Sequence, residues 1–215
     1  MQRPGTKRVG RTVTEGRIVE AAVQLFARQG YKGTSTRDIS RLAKVNEVTL
    51  FRYFPRKSHL FSAAAASRLS RIRMGRELQG RLAEDAAVQV VVPMLTEFLL
   101  ENFLDQPDLM GLLYVAGFEV PGADRYVREY LGPFFDAIYG YFERCAAKGK
   151  IRDVDPSIAT LSLAGIVSTH RNLYRLFTGR NFKLNAQKTA PFYTDFLLTA
   201  LGHSPPATAP TAKAQ

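Results

Sequence analysis

The sequence has little cysteine and histidine, and it lacks tryptophan. It contains one cysteine, Cys145, and three histidines in 215 residues. A single cysteine cannot form an internal disulfide, which fits a reducing compartment, so we expect a cytoplasmic location. The histidines, His59, His170 and His203, are far apart in the sequence. No group of His, Cys and carboxylate residues has the spacing of metal ligands, and we therefore expect no metal site.

Other absences exclude further classes of protein. No apolar run approaches the roughly 20 residues that a membrane-spanning helix requires. The first residues are rich in Arg, Lys, Gly and Thr and lack the apolar stretch of a signal peptide. The sequence also lacks a Gly-rich phosphate loop and a nucleophile-elbow motif. We therefore expect no enzymatic activity, no cofactor and no membrane association.

Acidic residues are scarce in the first third of the chain. Residues 1–81 contain 18 Lys and Arg but only 5 Asp and Glu, whereas residues 82–215 contain 12 and 14. The net charge of +11 therefore arises entirely in the first third. A basic segment joined to a nearly neutral one is typical of a polyanion-binding domain attached to a body with another task.

Apolar residues recur at helical spacing almost throughout, and no stretch alternates as a strand does. The sequence therefore predicts an all-α fold with nine helices. Their expected ranges are about 12–30, 36–43, 47–54, 56–78, 83–104, 107–118, 123–148, 156–177 and 186–201. We expect a flexible basic arm (residues 1–11), a helix-turn-helix domain (12–61), a helical body (62–203) and a disordered tail (204–215).

Residues 36–57 have the pattern of two short helices that pack at a turn. The apolar residues with the required spacing are Ile39, Leu42, Ala43, Val45, Leu50 and Phe54. The residues left facing outward are Arg37, Arg41, Asn46, Glu47, Thr49, Arg52, Tyr53 and Lys57. Their side chains suit phosphates and base edges, so this segment predicts a DNA-binding surface.

The segment 17–61 resembles the N-terminal domain of TetR-family transcriptional repressors. The matching residues are Ile18, Ala21, Ala22, Leu25, Phe26, Gly30, Tyr31, Thr34, Thr36, Ile39, Ala43, Val45, Thr49, Leu50, Phe51, Tyr53, Phe54, Lys57 and Leu60. Three positions depart from the family. Lys44 and Val48 stand where glycine is common, and Phe51 replaces a tyrosine whose hydroxyl would bond a phosphate.

The resemblance implies roles on DNA for individual side chains. The third helix would enter the major groove, where Arg52 suits guanine, Glu47 suits the cytosine amino group and Val48 suits a thymine methyl. Asn46 is expected to cap this helix, with adenine contact as an alternative. The candidates for the DNA backbone, together with the neighbouring Phe51, are Thr36, Arg37, Lys44, Thr49, Tyr53 and Lys57. Arg3, Lys7, Arg8 and Arg11 either enter a minor groove or form a solvated basic tail.

The resemblance also implies a homodimer formed by the last two helices and an operator with inverted symmetry. The apolar faces of these helices contain Ile158, Leu161, Leu163, Ile166 and Val167 in one, and Phe192, Phe196, Leu197 and Leu201 in the other. The alternative is that these faces fill the internal core of the body.

A small-molecule effector in the body is implied by the same resemblance. The candidate lining residues are Phe98, Tyr114, Phe118, Tyr126, Phe134, Phe135, Tyr139, His170, Asn172 and Tyr174. Aromatic rings with a few polar groups suit a mostly apolar or aromatic ligand, although aromatic residues at helical spacing also suit a plain core. The expected function is a ligand-released repressor. The alternative is a nonspecific or architectural DNA-binding protein without effector control.

Overall fold

The structure is a computed structural model that describes residues 4–104, 106–166 and 186–203. Its helices are α1 (Pro4–Gly33), α2 (Thr36–Ala43), α3 (Glu47–Tyr53), α4 (Lys57–Leu69), α5 (Arg76–Ala83), α6 (Val88–Leu99), α7 (Pro107–Phe118), α8 (Asp124–Ala147), α9 (described for 156–166) and α10 (Ala186–Ala200). A π-helical segment, Leu100–Leu104, directly follows α6. The described residues contain no strand, and the all-α prediction is confirmed.

The helices divide between two compact units. The first contains residues up to Ile72 together with Gln106–Gly132, and the second contains Arg73–Asp105 and residues from Pro133 onward. Helices α1–α4 and α7 thus belong to the first unit, α5, α6, α9 and α10 belong to the second, and α8 contributes to both. Across the described ranges, no helix is both long and apolar enough to cross a membrane.

The core of the first unit forms where α1 packs against α4 and α7. Ile18, Ala22 and Phe26 lie on one side of α1 and are fully buried. The ring of Phe26 contacts Tyr31 at 5.7 Å and Phe61 at 5.3 Å between centroids, and Tyr31 and Phe61 are 5.7 Å apart. This aromatic cluster fixes the end of α1 against α4, the helix that follows the helix-turn-helix.

Helix α1 begins earlier than its sequence signals predict. The sequence predicts a start at about residue 12, but the helix already begins at Pro4, so this start is wrong and residues 4–11 have helical backbone. Proline is well suited to the first helical turn because its fixed φ matches the helix and its missing N–H needs no partner there. Lys7, Arg8 and Arg11 therefore lie on helical backbone, whereas Arg3 lies outside the described residues.

The predicted end of the first helix at Gly30 coincides with a break. Gly30 has φ 74° and ψ 175°, and a short helical turn follows it to Gly33. A side chain at Gly30 would also collide with Glu119, because its Cβ would lie 2.5 Å from Oε1. The same carboxylate accepts a hydrogen bond from the backbone N–H of Lys32 at 3.0 Å. Glu119, which directly follows α7, thus connects the end of α1 to the end of α7.

Helices α1 and α7 approach each other closely at Gly111. A Cβ at this position would lie 2.7 Å from the carbonyl oxygen of Ala27 and 3.0 Å from its Cα. Both of those atoms are backbone in the middle of a helix and cannot move aside cheaply. The absence of a side chain at Gly111 is therefore what allows this helix crossing.

We expect Gly111→Ala to lower the free energy of unfolding by about 1–3 kcal/mol, because the added methyl overpacks the crossing. Gly117→Ala is the matched control in the same helix, since a Cβ there meets no atom within 4 Å. The control should be neutral or raise stability by up to about 1 kcal/mol through helix propensity. Urea denaturation of both variants measures this, and equal stabilisation by both would contradict the close crossing.

The single helix predicted over 56–78 is wrong, because two helices occupy this region. α4 ends at Leu69, where the N–H groups of Arg71 and Ile72 bond to carbonyls three residues back, and α5 starts at Arg76. Ile72 and Met74 in the connection are buried. These buried residues continue the apolar pattern through a turn, which explains why periodicity alone did not detect the end of α4.

The next predicted helix, 83–104, is also shorter than expected. α5 ends at Ala83, and Asp85 adopts a positive φ of 52° before α6 begins at Val88. Helix α6 continues through Pro93. The remaining predicted residues form the π-helical segment instead of α-helix.

The core of the second unit is built mainly from α6, α8 and α10. Val91, Leu95, Phe142 and Leu198 are fully buried in it. Tyr141 is buried too, and its hydroxyl donates to the carbonyl oxygen of Ala86 at 2.7 Å. Burial raises the pKa of this phenol well above its ordinary value. The thiol of Cys145 is likewise buried.

Asp85 links the α5–α6 turn to the end of α8. Its carboxylate accepts from Lys148 Nζ and from Arg144 Nε, each at 2.5 Å, and its carbonyl oxygen accepts from Lys150 Nζ at 2.8 Å. The hydrogen bonds from Lys148 and then Arg144 lower the pKa of Asp85 from 3.8 to about 2. The pKa is thus lower in the folded state, so the stabilisation is complete above about pH 4 and is lost as the pH falls through 2.

We expect Asp85→Asn to lower the thermal midpoint at pH 7 and to make this loss shrink between pH 4 and pH 2. Asparagine also tolerates a positive φ, so the substitution removes the charge and leaves the turn conformation accessible. Asp124→Asn is the control, because its pair with Arg128 is exposed and surface pairs contribute little. A difference from wild type that stays constant down to pH 2 would contradict this role for Asp85.

Candidate DNA-binding surface

The backbone of α2, the turn and α3 is fixed by local caps. Ser35 caps α2 by accepting from the N–H of Asp38 at 3.0 Å. Asn46 caps α3 by accepting from the N–H of Thr49 at 2.7 Å, so its predicted capping role is confirmed. Between them Lys44 has φ 55° and ψ 47°, a left-handed conformation that glycine adopts more easily. The departure from glycine at Lys44 therefore leaves the turn conformation intact.

The inward face of the helix-turn-helix differs from the predicted face at two positions. Ile39, Ala43 and Leu50 are buried as predicted, but Leu42 is 46 % exposed and Val45 is half-buried. Ser40 is buried in their place, so the inward face of α2 is centred between Ile39 and Ser40. Leu42 lies more than a quarter-turn from that direction at 100° per residue, which places it at the surface.

Most of the predicted DNA contacts lie on the outward side. Those that are exposed are Arg37, Lys44, Asn46, Val48, Phe51 and Arg52. Those that are half-buried are Thr36, Glu47, Thr49, Tyr53 and Lys57. The structure therefore collects all eleven on α2, the turn, α3 and the first residue of α4. We call this set the DNA-facing surface.

Two residues at the starts of α2 and α3 bond to each other. The hydroxyl of Thr36 donates to Oε1 of Glu47 at 3.0 Å. Both residues are half-buried, and each is the first residue of its helix. Sequence analysis assigned Thr36 to a phosphate and Glu47 to a base without connecting them, because eleven positions separate them in the chain.

Lys57 is held by an aromatic ring that sequence analysis did not assign to the surface. Its Nζ lies 4.4 Å from the ring centroid of Tyr31, which is a cation–π contact. Burial lowers the pKa of Lys57, and the negative charge of Glu119 acts in the opposite direction. The only sequence signal for Tyr31 is its place after Gly30 in the family pattern, and Glu119 has none. The end of α1 thus positions Lys57 within the DNA-facing surface.

Arg52 also contacts an aromatic ring. Its guanidinium carbon lies 5.7 Å from the ring centroid of Tyr53, its neighbour in α3. Arg52 remains exposed in this position. Arg41 on α2 is exposed as well, but it forms an ion pair with Asp38 one turn earlier. The guanidinium of Arg52 thus lies beside an aromatic ring, whereas that of Arg41 is paired with a carboxylate.

The candidate effector residues are distributed over both units. Tyr114, Phe118 and Tyr126 lie in the first unit and are exposed. In the second unit Phe98 is buried and stacks on Phe134 at 5.7 Å between centroids. Phe135 there is half-buried, Tyr139 is exposed, and His170, Asn172 and Tyr174 lie outside the described residues. Within the second unit, the structure thus pairs Phe98 with Phe134.

The second unit contains a cavity of about 90 Å³. It is lined by Val92, Phe142, Val154, Ile158, Ala159, Ser162, Leu163, Leu197, Ala200 and Leu201, none of which sequence analysis selected as an effector contact. Nine of these ten side chains are apolar. Ligand pockets usually measure about 300–1,000 Å³, so this cavity in its present form accommodates only a small apolar group.

Known proteins of similar sequence support the assignment of a helix-turn-helix to this chain. The sequence profile described as bacterial regulatory proteins, tetR family, matches residues 18–64. The HTH-type transcriptional regulator YvkB of Bacillus subtilis is 27 % identical over 140 residues, which are 65 % of this chain and 71 % of YvkB. Residues 18–64 thus belong to the tetR family of bacterial regulatory proteins.

Two further comparisons concern a repressor and a solved complex. The transcriptional repressor KstR of Rhodococcus jostii is 32 % identical over 98 residues, which are 41 % of this chain but only 46 % of KstR. AibR, solved with isovaleryl coenzyme A and operator DNA, aligns with a TM-score of 0.67 and 18 % identity over 85 % of this chain and 97 % of its own. This second likeness shows that this chain and AibR share a fold.

Proposed function

We propose that this tetR-family regulator is a ligand-released repressor that binds, as a homodimer, to an operator with inverted symmetry. Its DNA-facing surface provides the operator contacts. The observation that carries the proposal is an exposed apolar surface on α9 and α10. Association of two copies through this surface would hold two recognition helices at a fixed distance, which a single protomer cannot do.

The apolar residues predicted for the dimer interface fall into two groups. Leu163, Leu197 and Leu201 are buried in the second unit, so for them the alternative of internal core is correct. Ile166 is half-buried, and Val167 lies outside the described residues. The remaining four are exposed by 53–67 %, namely Ile158, Leu161, Phe192 and Phe196. We call these four the apolar stripe.

The apolar stripe has the geometry of an interface between helices. Ile158 and Leu161 are three residues apart in α9, and Phe192 and Phe196 are four apart in α10, so each pair faces one direction. The two helices also line a common cavity and are therefore neighbours. Large exposed aromatic and aliphatic side chains grouped in this way mark association surfaces. A two-fold axis through the stripe would pair each copy with its equivalent and form a four-helix interface.

A homodimer explains how one helix-turn-helix obtains enough specificity. Two recognition helices related by a two-fold axis contact half-sites about one turn of DNA apart, roughly 34–36 Å. The operator must then have inverted symmetry. We assign Arg52 and Val48 to base contacts, and Arg37, Lys44, Thr49, Tyr53 and Lys57 to the DNA backbone.

Release by a ligand is the second part of the proposal. An effector that binds more tightly to a conformer with wrongly spaced recognition helices would lower operator affinity by shifting the population. The coupling is reciprocal, so operator DNA must weaken effector binding equally. The apolar cavity of the second unit and the predicted aromatic residues favour a ligand with an apolar part. An acyl coenzyme A is the first class to test, because AibR, which shares the fold, was solved with isovaleryl coenzyme A.

The experiment uses a duplex selected by the protein from a random pool. Analytical ultracentrifugation should show a dimer in the absence of DNA and two protomers bound to one operator duplex in its presence. Short-chain and long-chain acyl coenzyme A are then added to the labelled complex, with free coenzyme A as the control. Release by an acyl compound alone supports the ligand-released repressor. A monomer on DNA would contradict the homodimer, and a complex unaffected by either compound would contradict this effector class.

A further inference from the structure

The bond between Thr36 and Glu47 joins the two helices of the helix-turn-helix at their first residues. It is a side-chain hydrogen bond of 3.0 Å in which the hydroxyl donates to the carboxylate. Glutamate has three rotatable side-chain bonds, and a free carboxylate at a helix start would sample many positions. The bond holds one carboxylate oxygen against α2 and so limits where the other oxygen lies.

A threonine hydroxyl has one proton to donate, and a phosphate oxygen of DNA only accepts hydrogen bonds. The proton of Thr36 is directed at Glu47, so it is not available to the DNA backbone. We propose that Thr36 is a positioning residue that orients Glu47 to read one base pair, and that Thr36 is not a phosphate contact. This inference rests on the proposed operator binding and changes the role that the sequence assigned to Thr36.

The carboxylate of Glu47 makes a demand on the base that it faces. The bond from Thr36 uses Oε1 and leaves Oε2 to accept from the DNA. In the major groove guanine and thymine present acceptors, and adenine presents an amino group beside the acceptor N7, whereas cytosine presents its amino group without a neighbouring acceptor. A carboxylate that faces a hydrogen-bond acceptor is repelled. A Glu47 side chain held in one orientation therefore discriminates against guanine and thymine more strongly than a mobile side chain does. We therefore assign to the Thr36–Glu47 pair a preference for cytosine at one position of each half-site.

The test compares binding-site selections by four variants of the full chain. Thr36→Val removes the hydroxyl but keeps the branched shape, and it should reduce discrimination for cytosine at one symmetric pair of positions by about tenfold. Thr36→Ser retains the hydroxyl and should keep the wild-type preference for cytosine. Glu47→Gln should shift the preference at the same positions to adenine, because an amide both accepts and donates.

Thr49→Val is the matched control. It makes the same chemical change at a threonine on the DNA-facing surface that remains assigned to the DNA backbone. It should weaken binding to all duplexes alike and leave the consensus unchanged. If Thr36→Val behaves as Thr49→Val does, or leaves the selected consensus unchanged, the inference is overturned alone. If the wild-type protein selects no consensus, the proposed function and the inference fail together.

Discussion

Leu161→Glu is expected to keep the regulator monomeric and to lower its operator affinity by at least about 100-fold. In a two-fold interface the substitution appears twice, and each new carboxylate would have to be buried without a partner. Leu161 is 63 % exposed in the protomer, so its replacement should leave the fold of each protomer intact. A monomer binds only one half-site and loses the gain from simultaneous contact, which is typically about 10²–10⁴-fold.

The control for this prediction is Val90→Glu. Val90 is an exposed apolar residue of the same unit, but it lies in α6 and outside the apolar stripe. This variant should remain dimeric with wild-type affinity, as measured by sedimentation and by fluorescence anisotropy of a labelled operator. Circular dichroism checks that both variants are folded. A Leu161→Glu protein that stays dimeric, or that binds the operator normally as a monomer, would remove the apolar stripe from the interface.

The affinity for the operator is expected to fall by about 10³ or more between 50 and 200 mM salt, which corresponds to six or more neutralised phosphates per dimer. Arg37 and Lys44 are the exposed cations that we assign to phosphates. Arg37→Gln or Lys44→Gln removes two such contacts per dimer, so each should reduce the slope of log affinity against log salt by about 2. Anisotropy titrations at five salt concentrations measure both slopes.

Arg128→Gln provides the control for the salt experiment. Arg128 is an exposed arginine of α8 that pairs with Asp124 at 2.6 Å, and it lies outside the DNA-facing surface. Its substitution removes the same charge but should leave the slope unchanged. If all three variants changed the slope equally, general attraction between a basic protein and DNA would explain the binding better than defined phosphate contacts.

The sequence predicted the helix-turn-helix well because its determinants are local. Ser35 and Asn46 cap helices within three residues of themselves, and the buried Ile39, Ala43 and Leu50 follow helical spacing. Such signals depend on neighbours in the chain and not on the rest of the fold. The same reasoning failed where a turn carries buried apolar residues, as Ile72 and Met74 do between α4 and α5.

Contacts between distant residues were not predictable from one sequence. Glu119 bonds the backbone of Lys32 across 87 positions, and it also acts on Lys57, but no pattern in the sequence connects them. The sequence also did not show which of the predicted dimer-interface residues are buried in the protomer and which are exposed. Leu161 and Leu163 are both apolar and lie in the same helix, yet only the packed structure shows that Leu163 is buried and Leu161 exposed.

The most direct test of the account is selection of bound duplexes from a random pool by the wild-type protein at physiological salt. We expect a consensus with inverted symmetry and two half-sites whose centres lie about one helical turn apart. Such a consensus is what a dimer with two DNA-facing surfaces requires. Selection without any consensus, together with binding that disappears as salt rises, would contradict the operator-specific regulator and favour a nonspecific DNA-binding protein.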